Sequence, residues 1–381
     1  MTKQLVLLTG SKNNAGDFLI KYRAKALFSH FYPELKIVDI DRWNLLTVEE
    51  LDIINESVGL VLCGGPAMRT NIYPNIYPLT YDLTQIKVPI FTLGVGWKHS
   101  RGFWEDTYHY PFTTKSRQLL DRIESNEVSS GVRDPHTLNA LQINGYNNYI
   151  LTGCPALYDL NHIQSSILPN SDIKKLSIST GVSFTHSAKM RSQLYELIDL
   201  LDQKMSSTHI TVVFHHSFNP KNPHINNNKF IKAHIDLTSW LEKKKIDYTD
   251  ISGSVDQLIE HYTSTDFHIG YRVHAHIFCQ SISKPSILIA EDGRGFGLSR
   301  LGIGTVFPGF SNKKFQNNKI MKRLTKPLDE YKITNQLPDT ILHAIQYEIG
   351  HGFPALQKSR MTIDVQYEQM KKFFNQISTL L

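Results

Sequence analysis

A unit repeated along the first half of the chain constrains the fold more than any other feature. In each repeat, a short apolar run ends at a loop that contains glycine, and a stretch with helical spacing follows. The clearest runs are Gln4 to Thr9 before Gly10, Val58 to Cys63 before Gly64 and Gly65, and Val88 to Leu93 before Gly94 and Gly96. Strands rich in Val, Ile and Leu that alternate with helices indicate a parallel sheet covered on both faces.

The same pattern restarts in the second half, after the more polar stretch Asn161 to Asp172. Its predicted strands are Leu176 to Val182, Ile210 to Phe214, Asp266 to Ile269 and Ser286 to Ile289. With 381 residues, the chain has at least twice the length of a typical domain. We therefore predict an α/β protein of two Rossmann-like domains facing a central cleft, residues 1–165 and residues 166–381. We expect the C-terminal helices to pack back on the N-terminal domain.

Composition narrows the class of protein. Apolar residues make up 41% of the chain and charged residues 20%, which suits folded cores and excludes a disordered protein. The net charge of +6 comes without a long Lys or Arg run, so we expect anionic small molecules and no nucleic-acid partner. The three cysteines lie far apart, which argues against a disulfide framework or a zinc ribbon. With no apolar run of membrane-spanning length and no signal peptide, we expect a reduced, cytoplasmic protein.

Ligands of open parallel sheets bind outside the carboxyl ends of the strands, where the loops gather. The residues that this rule selects are Asn13, Gly16 and Asp17, Gly64 and Gly65, Gly94 and Gly96, Arg133 and Asp134, His215 and His216, and Gly270, Arg272 and His274. Their glycines allow tight turns and a close approach of backbone N–H groups to a ligand. The loop from Gly10 to Asp17 matches neither a dinucleotide fingerprint nor a P-loop, and taken alone it favours a strand–helix turn with Asp17 as the helix N-cap.

Arg272 and His274 open a predicted helix directly after a predicted strand. A helix N-terminus attracts phosphate or carboxylate, a guanidinium adds bidentate anion recognition, and an imidazole supplies a proton donor near neutral pH. The alternative is an arginine paired with an acid such as Asp266 and a histidine that fills the helix face. Arg133 is freer to reach the cleft, because Asp134 and Pro135 have the pattern of a helix cap.

Other features point away from metal chemistry. His274 and His276 lie on different helix faces, and His215 and His216 point to opposite sides of a strand, so we expect no metal site. One histidine of the strand-end pair is expected to face the cleft and the other to be packed. Asp292 to Phe296 is predicted to be a flexible loop that serves as a lid, an acceptor contact or a plain turn, and Gly295 to Pro327 to be irregular.

In their order along the chain, these segments resemble the polysaccharide pyruvyl transferase family over about residues 4 to 300. The matching segments are Gly10 with Asn13 to Asp17, Cys63 to Pro66, Leu93 to Gly96, Val132 to Asp134, Thr152 to Leu157, Gly270 to Ala275, and Lys284 with Pro285. The chain departs from the family pattern in two places. Cys154 stands where Asp is frequent, and Arg294 lies near where Lys often follows the last strand.

The resemblance implies a fold like that of GT-B glycosyltransferases, with phosphoenolpyruvate as donor and a glycan sugar as acceptor. The product is a cyclic pyruvate ketal on two hydroxyls of one sugar, and no metal or nicotinamide cofactor is required. We expect Arg272 and the helix end from Gly270 to His274 to bind the donor anions, with His274 as general acid. Arg133 would be a second anion contact, and Asp17 or His215 would position or deprotonate the acceptor.

Two other functions stay open from the sequence: a GT-B glycosyltransferase that uses a nucleotide-sugar, and a non-catalytic glycan-binding protein on the same scaffold. The acceptor is equally open, and a lipid-linked one would bring the protein to a membrane surface. The aromatic residues after Gly96 are candidates to stack on a sugar or to pack internally: Trp97, Phe103, Trp104, Tyr108 and Tyr110. A homo-oligomer is also left open.

Overall fold

The computed structural model describes residues 3–12, 14–165, 169–217, 228–313, 331–334 and 336–381. The N-terminal domain is built on a parallel sheet in the order β2-β1-β3-β4. Its elements run β1 Gln4–Thr9, α1 Ala15–Phe31, β2 Lys36–Asp41, α2 Val48–Asn55, β3 Leu60–Cys63 and β4 Ile90–Leu93. The chain continues with α3 Thr114–Glu124, β5 Ser130–Val132, α4 Pro135–Ile143 and β6 Tyr149–Leu151. β5 and β6 form a further parallel pair, which a Val95–Val132 bridge joins to the segment after β4.

The C-terminal domain has a second parallel sheet in the order β12-β11-β10-β7-β8-β9. Its elements are β7 Lys175–Ser179, α5 Ala188–Lys204, β8 His209–Phe214, α6 Asn228–Lys244, β9 Asp247–Asp250, α7 Val255–Ser264, β10 Phe267–Gly270, α8 Val273–Ser281, β11 Ser286–Ala290, α9 Gly293–Leu301 and β12 Thr305–Pro308. An antiparallel pair follows, β13 Phe310–Lys313 with β14 Tyr331–Ile333, and then two helices, α10 Leu337–Gly350 and α11 Pro354–Ile377. Every predicted strand overlaps an observed one, so the α/β prediction with two parallel sheets is confirmed.

Short polar side chains fix the helix starts that follow the strands. Asn14 caps α1 by accepting a hydrogen bond from the Gly16 amide, so the cap is Asn14 and not Asp17. Asp134 caps α4 as predicted, because its Oδ1 accepts from the Thr137 amide at 2.9 Å. These caps hold the first turns of α1 and α4 at the carboxyl ends of their strands.

The region around Asp292 differs from the prediction. Asp292 accepts a hydrogen bond from the Arg294 amide at 3.0 Å and caps α9, so a flexible loop at this point is wrong. Irregular structure from Gly295 onward is also wrong as far as Lys313, because α9, β12 and β13 cover most of it. The rest of that predicted segment, residues 314–327, lies outside the described residues.

One apolar core runs through both domains. Leu19 and Phe28 of α1 belong to the same buried cluster as Tyr262 of α7 and Phe278 of α8. Across the interface, the Gly293 amide donates to the carbonyl of His99 at 3.1 Å, and Asn14 forms an antiparallel bridge with His216. The domains therefore meet directly, and the cleft between them is closed in this structure.

The last helix crosses back to the N-terminal domain. Phe374 of α11 stacks on Phe31 of α1 with ring centroids 4.4 Å apart, and Phe373 contacts Phe91 of β4. The side chain of Gln376 accepts a hydrogen bond from the Ser129 amide at 3.0 Å. Among the residues that the structure describes, neither this helix nor any other combines the length and apolar character needed to cross a bilayer.

Candidate active site

Four buried or half-buried arginines converge where the carboxyl ends of the two sheets meet. We call them the arginine cluster: Arg42 after β2, Arg133 after β5, Arg272 after β10 and Arg294 at the start of α9. Asp17 lies within electrostatic reach of Arg42, Arg133 and Arg294, and His274 within reach of Arg133, Arg272 and Arg294. Loops of both sheets thus bring these side chains together, as the strand-end rule requires.

Arg133 has the most unused hydrogen-bonding capacity of the described site. Its side chain is 3% exposed, and its Nε lies 3.4 Å from Asp134 Oδ2. Neither Nη1 nor Nη2 has a protein partner. An unpaired buried donor costs about 1–3 kcal/mol, and more when it is charged. A guanidinium held in this way is prepared to accept an anion from outside the protein.

Arg272 and Arg294 are more fully engaged. Arg272 donates from Nε to the carbonyl of Thr180 at 2.7 Å and from Nη2 to that of Gly181 at 3.2 Å. Burial lowers the pKa of Arg272 to about 10, so it stays charged at neutral pH. Arg294 forms a two-point pair with Asp292, whose charge raises the arginine pKa above its ordinary value. Both arginines are therefore cationic and held in place.

Arg42 and Asp17 form the part of the site that lies on the N-terminal domain. Arg42 is 7% exposed, lies 4.8 Å from the Trp43 ring centroid, and its Nε has no partner. Burial raises the pKa of Asp17, although the nearby Arg42 opposes that shift. Asp17 also accepts a hydrogen bond from Asn14 at 3.1 Å. A carboxylate with a raised pKa is better able to take a proton than an ordinary one.

His274 points across the interface toward α1. The space that a side chain on Gly16 would need is filled by its imidazole, because a Cβ there would lie 2.1 Å from His274 Nδ1. The ring is 6% exposed, and Nε2 has no partner. Burial lowers the pKa of His274 to about 3, helped by Arg133, Arg294 and Arg272. The imidazole is thus neutral at neutral pH as long as no anion binds beside it.

The histidine pair after β8 divides between core and interface. His215 is 1% exposed, and its Nε2 lies 2.7 Å from the hydroxyl of Tyr262. It is therefore buried against Tyr262 inside the C-terminal domain, within electrostatic reach of Arg272 and His274. His216 instead forms the bridge to Asn14, and burial together with Arg272 lowers its pKa to about 2. The member of the pair at the interface is His216.

At several glycines predicted to contact substrate, other atoms of the protein fill the space that a side chain would need. A Cβ on Gly64 would lie 2.3 Å from Ile20, one on Gly94 2.3 Å from Pro155, and one on Gly270 2.3 Å from the Ser179 carbonyl. Gly96 and Gly65 instead border the guanidiniums of Arg133 and Arg42. The geometry thus assigns these positions to packing and to arginine placement.

Some site residues escaped the sequence pattern, and one predicted residue is not described. Asn13 lies outside the described residues. Arg42 follows β2, a strand with no glycine after it, so only its position at a strand end could have selected it. The cysteines are buried, and burial raises the pKa of Cys154 to about 11, which keeps its thiol protonated.

Sequence comparison identifies one family. The family model described as polysaccharide pyruvyl transferase matches residues 14–293, which include Asp17, Arg42, Arg133, Arg272 and His274. No curated protein sequence matches the chain significantly.

Structure comparison identifies the fold. The MnaA protein of S. aureus in complex with UDP is similar with a TM-score of 0.55 and 12% sequence identity, over 100% of this chain and 98% of that one. The UDP-GlcNAc 2-epimerase of Neisseria meningitidis bound to UDP-GlcNAc gives a TM-score of 0.53 and 10% identity, over 97% and 100%. At such identities the likeness shows a shared two-domain, GT-B-like fold, which confirms the predicted architecture.

Proposed function

Because the chain belongs to the polysaccharide pyruvyl transferase family, we propose that it transfers pyruvate from phosphoenolpyruvate to a sugar of a surface polysaccharide. The product would be a cyclic ketal that bridges two hydroxyls of that sugar. Family membership supports the transferase class and the glycan acceptor. The donor and the ketal chemistry are our proposal.

The observation that carries the proposal is that Nη1 and Nη2 of Arg133 lack protein partners in the same buried site as the neutral imidazole of His274. Phosphoenolpyruvate has a phosphate and a carboxylate on a three-carbon frame, so it needs two anion contacts close together. Guanidinium groups bind both anions through paired N–H donors. Arg133 supplies free donors at Nη1 and Nη2, and Arg42, which also lies near Asp17, has an unpaired Nε.

The transfer needs three proton movements, and they balance. His274, protonated once the anionic donor is bound, gives a proton to the methylene carbon, which becomes the methyl group. The adjacent carbon becomes cationic and is attacked by the first sugar hydroxyl, whose proton passes to Asp17. The carbon–oxygen bond to phosphate then breaks, and the second hydroxyl closes the ring while its proton goes to the leaving phosphate. Asp17 then returns its proton to the solvent, and His274 takes one from the solvent when the next donor binds, so the cycle neither gains nor loses protons.

Arg272 has a supporting role in this scheme. Its Nε and Nη2 donate to backbone carbonyls, so it contributes positive charge more than direct hydrogen bonds. Arg133 is accordingly the stronger candidate for direct contact with the donor. This order reverses the emphasis that the sequence pattern gives to Arg272.

A thermal-shift assay tests the proposal directly. We expect phosphoenolpyruvate to raise the unfolding temperature of the purified protein, and UDP and CMP to leave it unchanged, because a ligand that binds only the folded state stabilises it. Arg133→Met should weaken phosphoenolpyruvate binding by tenfold or more, as expected when a charged hydrogen bond is lost. Arg117→Met is the matched control, because Arg117 lies outside the arginine cluster and donates a hydrogen bond to Asn144. Stabilisation by UDP alone would refute the proposal.

A glycan measurement tests the product. The surface glycan of cells that carry the intact gene should show a pyruvate-sized loss in mass spectrometry. Cells that carry the His274→Ala or Arg133→Met variant should lack it. Equal pyruvate content in all three strains would remove both residues from the mechanism.

A further inference from the structure

We propose that an open cavity at the domain interface, outside the arginine cluster, binds a neutral sugar unit of the acceptor beside the unit that reacts. This inference rests on the proposed function. The cavity has a volume of about 370 Å³, within the size range of small-ligand sites. Its principal lining residues are Phe103, Trp104, Glu105, His136, Phe296 and Arg300.

Aromatic rings supply the apolar part of this acceptor cavity. Trp104 is half-buried, and the His136 ring packs edge-on against it at 5.1 Å. Phe103 of the N-terminal domain and Phe296 of α9 lie 5.9 Å apart and close the other side. Because one face of a sugar ring is made of C–H groups, a partly exposed indole offers it a matching flat surface.

The polar groups of the cavity suit hydroxyls better than anions. Glu105 and Arg300 are exposed and of opposite charge, so the rim has no excess positive charge. His136 is 1% exposed, and its Nδ1 has no partner. Burial lowers the pKa of His136, which keeps the imidazole neutral. A neutral imidazole offers one donor and one acceptor, the same combination that a sugar hydroxyl offers in return.

The loop that carries Trp104 is held in place before any ligand arrives. The Phe103 amide donates to Asp106 Oδ2 at 3.0 Å, and the Arg101 guanidinium pairs with the same carboxylate. The hydroxyl of Thr107 donates to the Trp104 carbonyl at 2.7 Å. A rigid aromatic surface loses little conformational freedom on binding, as in sites that recognise ligands without rearrangement.

The position of the cavity explains which part of the acceptor it would hold. α9 carries Arg294 of the arginine cluster at its start and Arg300 of the cavity six residues later, about 9 Å along the helix axis. α4 likewise begins beside Arg133 and presents His136 in its first turn. A sugar in the cavity therefore lies next to the reacting sugar and not in its place. The inference is that the acceptor has at least two sugar units.

Saturation-transfer NMR tests the inference with defined probes. The probes are methyl glycosides of glucose, galactose, mannose and N-acetylglucosamine, and the di- and trisaccharides built from them. We expect at least one di- or trisaccharide to bind more tightly than its component monosaccharides. Trp104→Ala should weaken that binding at least tenfold, and Arg300→Ala, at an exposed position whose guanidinium lies 5.8 Å from the Trp104 ring centroid, should weaken it severalfold. Tyr81→Ala is the matched control, since Tyr81 is a 91% exposed aromatic residue outside the cavity.

Two outcomes overturn the inference: no saccharide of the panel binds, or binding survives both Trp104→Ala and Arg300→Ala. Phosphoenolpyruvate thermal shifts on the same variants keep this result separate from the proposed function. Stabilisation by phosphoenolpyruvate without saccharide binding would reject the cavity and leave the donor assignment standing. Saccharide binding that depends on Trp104, without any effect of phosphoenolpyruvate, would reject the donor assignment and keep the cavity as a glycan site.

Discussion

At the scale of single residues, the protonation state of His274 determines when the first proton transfer of the proposed reaction can occur. Its pKa of about 3 leaves it without a proton in the free protein at neutral pH. Burial and three nearby guanidiniums cause that value, and a bound trianion would cancel much of the positive charge. The imidazole therefore becomes able to hold a proton only in the complex. The proton donor of the proposed reaction would thus be created by donor binding.

Proton uptake on binding follows from this charge state. Above pH 7, where a phosphate monoester is fully ionised, phosphoenolpyruvate should bind with uptake of about one proton. Its affinity should then fall as the pH rises, because fewer protons are available for the complex. Titration calorimetry in buffers of different ionisation enthalpy measures the uptake. His274→Ala should bind without it, and equal uptake in that variant would assign the proton to another group.

At the scale of secondary structure, α9 shows why the sequence pattern failed locally. Three of its nine residues are glycines, which normally disfavour a helix. Each one is required by packing: Gly293 lies against Gly102, Gly295 against Ala290, and Gly297 against Asp134. These contacts join α9 to the opposite domain and to the cap of α4. No propensity within the segment could reveal them.

The variant Gly297→Ala tests whether helix propensity or packing has the larger effect on stability at this position. Alanine is the better helix former by about 1 kcal/mol, but its Cβ would lie 2.8 Å from Asp134 Cγ. Overpacking at a buried contact costs about 1–3 kcal/mol, so the midpoint of urea unfolding should fall. Ser299→Ala, at an exposed position of the same helix, should leave the midpoint unchanged or raise it. A stabilised Gly297→Ala protein would show that the contact is loose.

For the elements that carry the site, too, the sequence predicts some features and misses others. The strand pattern was enough to predict both sheets, the cap at Asp134, and the strand-end positions of Arg133, Arg272 and His274. It could not assign the direction of His215 and His216, because a shift of one residue exchanges the two faces of a strand. It also missed Arg42, whose role depends on the neighbouring Gly10 and Gly65.

At the scale of the whole molecule, the two domains are closed over the arginine cluster. On the N-terminal side of the cluster, a cavity lined by Gly10, Asp17, Arg42 and Gly65 has a volume of only about 10 Å³, room for one water molecule. A donor of three carbons and a phosphate does not fit into that space. Because the domains also meet directly, at Gly293 with His99 and at Asn14 with His216, we expect entry of the donor to require the domains to separate.

A reversible disulfide between the two domains tests whether the domains must separate for the donor to bind. The Asn14–His216 bridge is antiparallel, so the two Cα atoms lie about 5 Å apart, within the range of a disulfide. The Asn14→Cys and His216→Cys double variant should bind phosphoenolpyruvate when reduced and fail to bind it when oxidised. Comparison of the two redox states of one protein removes the effect of the substitutions themselves. Equal binding in both states would show that the closed form admits the donor.

The return of α11 to the N-terminal domain also bears on how the protein is made. Phe31, Phe91 and Ser129 contact residues 373–376, which the ribosome adds hundreds of residues later. Domains usually fold in the order of their synthesis. Here the apolar surface of the N-terminal domain that α11 covers would stay exposed until translation is almost finished. Chaperones that bind nascent chains would therefore be needed longest for this half of the protein.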